Sequence, residues 1–125
     1  MSSRRALALL VADPGTSADL ITSAKAVLDS AAAISEYRTF SESVEHTVAM
    51  LAEVVTMSDF VVILQSRPEP SDKVLTAVIA ARQHDKPVYA LTAPGVKLGI
   101  DVLESRSLDS PDLRDWIEWI QRRHG

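Results

Sequence analysis

Short apolar runs of strand length alternate along this chain with segments whose apolar residues recur every three or four positions. That alternation constrains the fold more than any other feature. Residues 5–11 form a continuous apolar run, as a parallel strand buried on both faces requires. Asp13-Pro14-Gly15 breaks it, and Thr16 or Ser17 can cap a helix reaching about residue 29, with Leu20, Ile21, Ala24, Val27 and Leu28 inward. Residues 34–40 alternate as a half-buried, peripheral strand. Ser41 caps a second helix whose first turn Glu42 suits, with Val44, Val48, Leu51 and Val55 as its buried stripe. Residues 59–64 (Asp-Phe-Val-Val-Ile-Leu) read as the central strand. A loop, Ser66-Arg67-Pro68-Glu69-Pro70, precedes a third helix over 71–84, and Lys86-Pro87 introduces a fourth strand over 88–91. Residues 93–101, with Pro94, Gly95 and Gly99, are loop with at most one helical turn. Residues 105–108 can add a short edge strand. Ser110-Pro111-Asp112 then opens a last helix reaching about residue 123.

Strand and helix alternate in this way when a parallel sheet carries helices on both faces. Right-handed crossovers with strand order 2-1-3-4(-5) give a doubly wound, flavodoxin-like three-layer sandwich. No repeat or linker divides it, so residues 1–125 make a single α/β domain.

Composition removes several functions. The chain has no cysteine, which excludes disulfide frameworks, thiol catalysis and Cys-based zinc sites. With 13 Lys+Arg against 17 Asp+Glu the net charge is −4, and a nucleic-acid partner is not expected. The apolar stretch over 6–12 is far short of the roughly 20 residues that span a membrane. Arg4 and Arg5 precede it, but Asp13-Pro14-Gly15 and an amphipathic helix follow, as after a first strand. A cytoplasmic protein without a membrane partner is expected.

In open parallel sheets ligands bind beyond the carboxyl ends of the strands, at the topological switch point. Here that point lies between the first and third strands, where Asp13-Pro14-Gly15-Thr16-Ser17 meets Gln65-Ser66-Arg67-Pro68-Glu69. Backbone N–H groups at a helix start and the Thr16 and Ser17 hydroxyls face an anion, and Arg67 supplies fixed positive charge. The expected ligand-binding set is Asp13, Gly15, Thr16, Ser17, Ser66, Arg67, Glu69 and Asp72. The competing reading makes Pro-Gly-Thr-Ser a turn and cap and Arg67 a solvated side chain. Glu42, Glu69 and Asp72 lie near helix starts, where carboxylates also serve the dipole. Neither P-loop nor Gly-x-Gly-x-x-Gly spacing is present, and no cofactor is expected. His46, His84 and His124 fall on separate helices without metal-ligand spacing. Ser17, Ser41 and Ser66 lack a nucleophile elbow.

Two helices carry apolar residues off their buried stripes. Met50, Val54 and Met57 form a second stripe about 100° from the first, which needs a neighbouring helix or another subunit. On the last helix Leu113, Trp116, Ile117 and Ile120 share a face while Trp119 points about 120° away, as an interface anchor or a ring lying flat on its own domain. A homo-oligomer is expected, a dimer through the second helix.

Residues 56–92 resemble the nucleoside 2-deoxyribosyltransferase-like family. The matching pieces are Ser58-Asp59 before Phe60-Val61-Val62-Ile63-Leu64, the loop Pro68-Glu69-Pro70-Ser71-Asp72, and Asp85-Lys86-Pro87-Val88, where the family has Gly-Lys-Pro. The resemblance implies a flavodoxin-like fold, a nucleoside or nucleotide ligand, and deoxyribosyl-transfer or N-glycosidase chemistry in an active member. It places the nucleophilic glutamate four or five residues after the loop aspartate, where this chain has Thr76 and Ala77. The family's Gly-Pro after the first strand is replaced by Ala12-Asp13-Pro14-Gly15. Leu91-Thr92-Ala93 resembles response-regulator receiver domains, whose phosphoacceptor aspartate ends the third strand; Gln65 and Ser66 stand there. Three functions follow from these residues. The first is a nucleoside or nucleotide binder without the family's reaction. The second is a pseudo-receiver-like protein-interaction module acting through helical surfaces. The third is an enzyme whose carboxylate is Glu69, Asp72 or a neighbouring subunit's.

Overall fold

The computed structural model describes residues 7–12, 16–29, 33–37, 44–69, 71–97, 99–100 and 102–124, of which 33–37, 44–48 and 124 are described in backbone only. The elements run β1 (Leu7–Ala12), α1 (Ala18–Asp29), β2 (Ala33–Tyr37), α2 (Val44–Thr56), β3 (Phe60–Gln65), α3 (Asp72–Gln83), β4 (Val88–Thr92), β5 (Glu104–Ser107) and α4 (Leu113–His124). The five strands form one sheet in the order β2-β1-β3-β4-β5. Every pairing is parallel. This is the doubly wound, flavodoxin-like sandwich that the alternation implies.

The pleat divides the apolar runs between two cores. Ala8, Leu10, Ala12, Phe60, Val62, Leu64, Tyr89 and Leu91 face α1 and α4, joined by Ala24, Leu28, Leu113, Trp116, Ile117 and Ile120. Leu9, Val11, Val61, Ile63, Val88 and Ala90 face α2 and α3, joined by Leu51, Val55, Val74, Ala77, Val78, Ala80 and Ala81. Because successive side chains point to opposite faces, a strand buried on both sides must be apolar throughout, as β1 and most of β3 are. Tyr89 bridges two rings edge-on, Phe60 and Trp116, each with centroids 5.9 Å away. Burial holds its phenol above the ordinary 10.0, with the Arg123 charge opposing and the Glu104 charge adding to that effect.

Element ends follow local chemistry. Asp59, just before β3, accepts the Leu7 amide at 2.7 Å on its carboxylate and donates its own amide to the Leu7 carbonyl at 2.8 Å, which joins the start of β1 to β3. Helix α3 ends at His84 in a Schellman arrangement: Lys86 N–H reaches the Ala81 carbonyl (2.8 Å) and Asp85 N–H the Arg82 carbonyl (3.3 Å). Asp85 therefore takes φ +55°, where glycine is the usual occupant. The two motif pieces Ser58-Asp59 and Asp85-Lys86-Pro87 are thus joints of the fold.

Several boundaries differ from the sequence expectation: β1 reaches Ala12, β2 begins at Ala33, β3 begins at Phe60, α3 runs Asp72–Gln83 and β5 runs Glu104–Ser107, and three further differences have a local reason. α4 begins at Leu113, because Ser110-Pro111-Asp112 is spent on a turn and the first full-turn bond runs from Trp116 N–H to the Asp112 carbonyl (2.9 Å). β3 extends to Gln65 and β4 to Thr92, two buried polar residues that continue the pairing past the apolar runs. The cap at Ser41 and the residues Glu42 and 38–40 lie outside the described residues, as do the side chains of Val44, His46 and Val48.

Candidate functional site

β1 and β3 are neighbours, with Ala12 opposite Leu64 at their carboxyl ends. The chain leaves β1 for α1 on one face of the sheet and leaves β3 for α3 on the other, the switch point at which doubly wound sheets hold ligands. Of the expected ligand-binding residues, Asp13 and Gly15 lie outside the described residues. Thr16 Oγ1 and Ser66 Oγ, fifty positions apart in sequence, stand 3.3 Å from each other in hydrogen-bond contact. The two loops are joined hydroxyl to hydroxyl at the switch point.

The other hydroxyls are committed to helix starts. Ser17 Oγ accepts the Leu20 amide at 3.3 Å, and Ser71 Oγ accepts the Val74 amide at 3.3 Å. Asp72, in the first turn of α3, is exposed and suits the positive end of the helix. Arg67 and Glu69 are exposed and, with Pro68 and Ser71, line a hollow of about 420 Å³ on the α3 side of the loop. Thr76 is half-buried and Ala77 fully buried in the α2–α3 core, so the positions matching the family's glutamate carry a hydroxyl and a methyl.

Gln65 organises this loop. Its side chain is fully buried, and its Nε2 donates to the carbonyls of Arg67 (2.7 Å) and Pro68 (3.0 Å). Two carbonyl acceptors fix which end of the amide is nitrogen. Its Oε1 is buried with no hydrogen-bond partner. One side chain thereby sets the course of the Arg67–Pro68 backbone. The signal in the sequence is a lone polar residue closing an apolar strand, and it lies where a receiver domain would carry its phosphoacceptor. A carboxamide tied to its own loop cannot do that chemistry.

The expected interaction residues are placed as follows. Met50 and Val54 are half-buried against the core between α2 and α3 of this same chain, whereas Met57 is exposed. Trp119 is 37% exposed, and the Arg123 guanidinium, one turn on, lies 5.3 Å from its ring centre. His84 is exposed at the α3 C-cap. Among the described residues no group of His, Asp or Glu is arranged to hold a metal ion, and no helix is long and apolar enough to cross a membrane.

No family model matches this chain. No curated protein matches it in sequence. Its fold is similar to the crystal structure of a 3-dehydroquinate dehydratase-like protein from Bifidobacterium longum, with a TM-score of 0.61 over 96% of this chain and 98% of that one. The two share 10% identity, so the likeness is one of fold.

Proposed function

We propose that this protein binds a nucleoside or nucleotide at the β1–β3 switch point, has nucleoside 2-deoxyribosyltransferase-like ancestry, and does not perform the family's glycosyl transfer. The observation that carries the reading is the Thr16–Ser66 contact at 3.3 Å, which sets two hydroxyls side by side where doubly wound sheets hold ligands. Arg67 then pairs with phosphate, for which a planar guanidinium is suited. Glu69, which with Arg67 lines the hollow on the α3 side of that loop, accepts from sugar hydroxyls. Asp59 stands at a structural joint that matches the family's Ser-Asp, and Asp85 holds, at φ +55°, the conformation suited to the glycine it replaces, which supports the ancestry. Thr76 and Ala77 lack the carboxylate that covalent glycosyl transfer needs, which supports binding without transfer. A nucleotide ligand suits a cytoplasmic protein.

The test is thermal unfolding against nucleosides, nucleotides, deoxyribose phosphates and NAD. A ligand at 100 times its dissociation constant adds about 2.7 kcal/mol, and a shift of roughly 8 °C is expected. Arg67→Ala should weaken a phosphorylated ligand at least about tenfold, the cost of a lost charge-assisted bond. An unchanged affinity in that variant would remove Arg67 from the site. A flat panel would favour the interaction module.

A further inference from the structure

Five large apolar side chains are exposed among the described residues: Met57, Leu75, Ile79, Leu103 and Trp119. Two of them, Leu75 (39%) and Ile79 (55%), lie one turn apart on the outer face of α3, away from Val74, Ala77, Val78 and Ala81. They are flanked by opposite charges, exposed Asp72 a turn before and exposed Arg82 a turn after. Leu103 (56%) lines, with Arg82, a hollow past the end of the helix.

The order Asp72, Leu75, Ile79, Arg82 is symmetric about residue 77 in position and antisymmetric in charge. Because Ala77 points into the core, residues placed evenly either side of it straddle the outward line of the helix. A two-fold axis crossing that outward line sets two copies of α3 antiparallel. Leu75 then meets Ile79 of the other copy, and Asp72 meets Arg82, each pair occurring twice. A self-complementary patch of this kind is what an isologous contact requires. Arg82 already makes a contact within its own chain, and its five N–H donors leave room for a carboxylate besides.

We infer that the outer face of α3 is a homodimer interface, in which a second copy of this chain packs its own α3 antiparallel on the Leu75–Ile79 face and pairs Asp72 with Arg82 across the two-fold axis. Helix α2 is a poorer candidate, because α3 and the core of the same chain already half-cover Met50 and Val54. Twelve residues of helix are about 18 Å long. A contact of that length is smaller than the roughly 800 Å² per partner of a standard interface, so the dimer forms at high micromolar concentration and dissociates on dilution.

Sedimentation equilibrium of the full chain over a concentration series tests this, with thermal unfolding as a control for folding. The wild type should show a monomer–dimer equilibrium. Ile79→Asp, which puts a charge into the contact twice, should be monomeric throughout. Arg82→Asp should weaken association about tenfold, since each reversal acts at two symmetric pairs. The double variant Asp72→Arg/Arg82→Asp should recover association, which a merely hydrophobic patch or another register would not produce. A wild type that stays monomeric at high micromolar concentration overturns the inference, as does a dimeric Ile79→Asp. Failure of the double variant to recover overturns the antiparallel register.

Discussion

Replacing Gln65 by glutamate changes one atom in a fully buried side chain, and the cost can be worked from its surroundings. The Nε2 atom donates to the Arg67 and Pro68 carbonyls, at 2.7 and 3.0 Å. An ionised carboxylate there would face both acceptors with no proton to offer, so the folded state must hold the glutamate protonated. The single O–H serves one carbonyl, and the lost bond costs about 1 kcal/mol. Holding the proton at pH 7, about 2.7 pH units above the ordinary glutamate value of about 4.3, costs up to about 3.7 kcal/mol. The deficit of Gln65→Glu at pH 7 is therefore about 4–5 kcal/mol, a large part of a small domain's stability. Its unfolding midpoint should fall by roughly 12 °C or more. The sign of the pH dependence is fixed by the raised folded pKa: the proton-linked penalty is absent below the unfolded value and grows as pH rises toward the folded one. At about pH 4 the variant should thus lie only about 1 kcal/mol below wild type. Gln65→Leu separates donor from volume. It gives up both bonds, which leaves the Arg67 and Pro68 carbonyls without this donor, and it also removes the unpartnered Oε1, so it should be destabilised by about 2 kcal/mol, equally at both pH values. Urea unfolding of the three proteins at pH 4 and pH 7 measures all of this. A Gln65→Glu protein as stable as wild type at pH 7 would refute the tie between Gln65 and its loop.

Other consequences are local. Asp59→Ala removes the carboxylate that holds the Leu7 amide and should destabilise by about 2 kcal/mol, with Asp59→Asn recovering part through its remaining acceptor; denaturant titration reads both. Asp85→Gly relieves the positive φ of +55° and should raise stability by about 0.5–1 kcal/mol, whereas Asp85→Val should lower it by at least as much, as thermal melts will show. Burial raises the Tyr89 pKa, so its contribution is fully present below pH 10.0 and is lost as pH rises through the higher folded value. Tyr89→Phe should therefore show a shallower fall of unfolding midpoint above that pH than wild type does.

The fold was legible in the sequence because it rests on periodicity. The apolar runs in β1, β3 and β4 can be satisfied only by burial on both faces, and the helical stripes between them supply the cover. The switch point followed from that order, and with it the nearness of the Thr16 and Ser66 loops. Tertiary structure decided the rest. β5, Glu-Ser-Arg-Ser, has little strand character of its own. It is a strand because β4 offers an open edge, and because Arg106 is held by Glu104, Asp112 and the Trp116 ring, 5.3 Å from its guanidinium. That Met50 and Val54 of the second α2 stripe are half-covered within the chain while Met57 stays exposed depended on how α3 lies beside α2, a distance no local pattern encodes. Ser17 and Asp72 look alike as ligand or cap residues in sequence, and only hydrogen-bond geometry assigns Ser17 to its helix start. Gln65 reads as a missing aspartate until its amide is seen to hold the loop from beneath. Periodicity reports which faces must be covered; the partner of each buried polar atom is set by residues distant in the chain, and only the assembled fold brings them together.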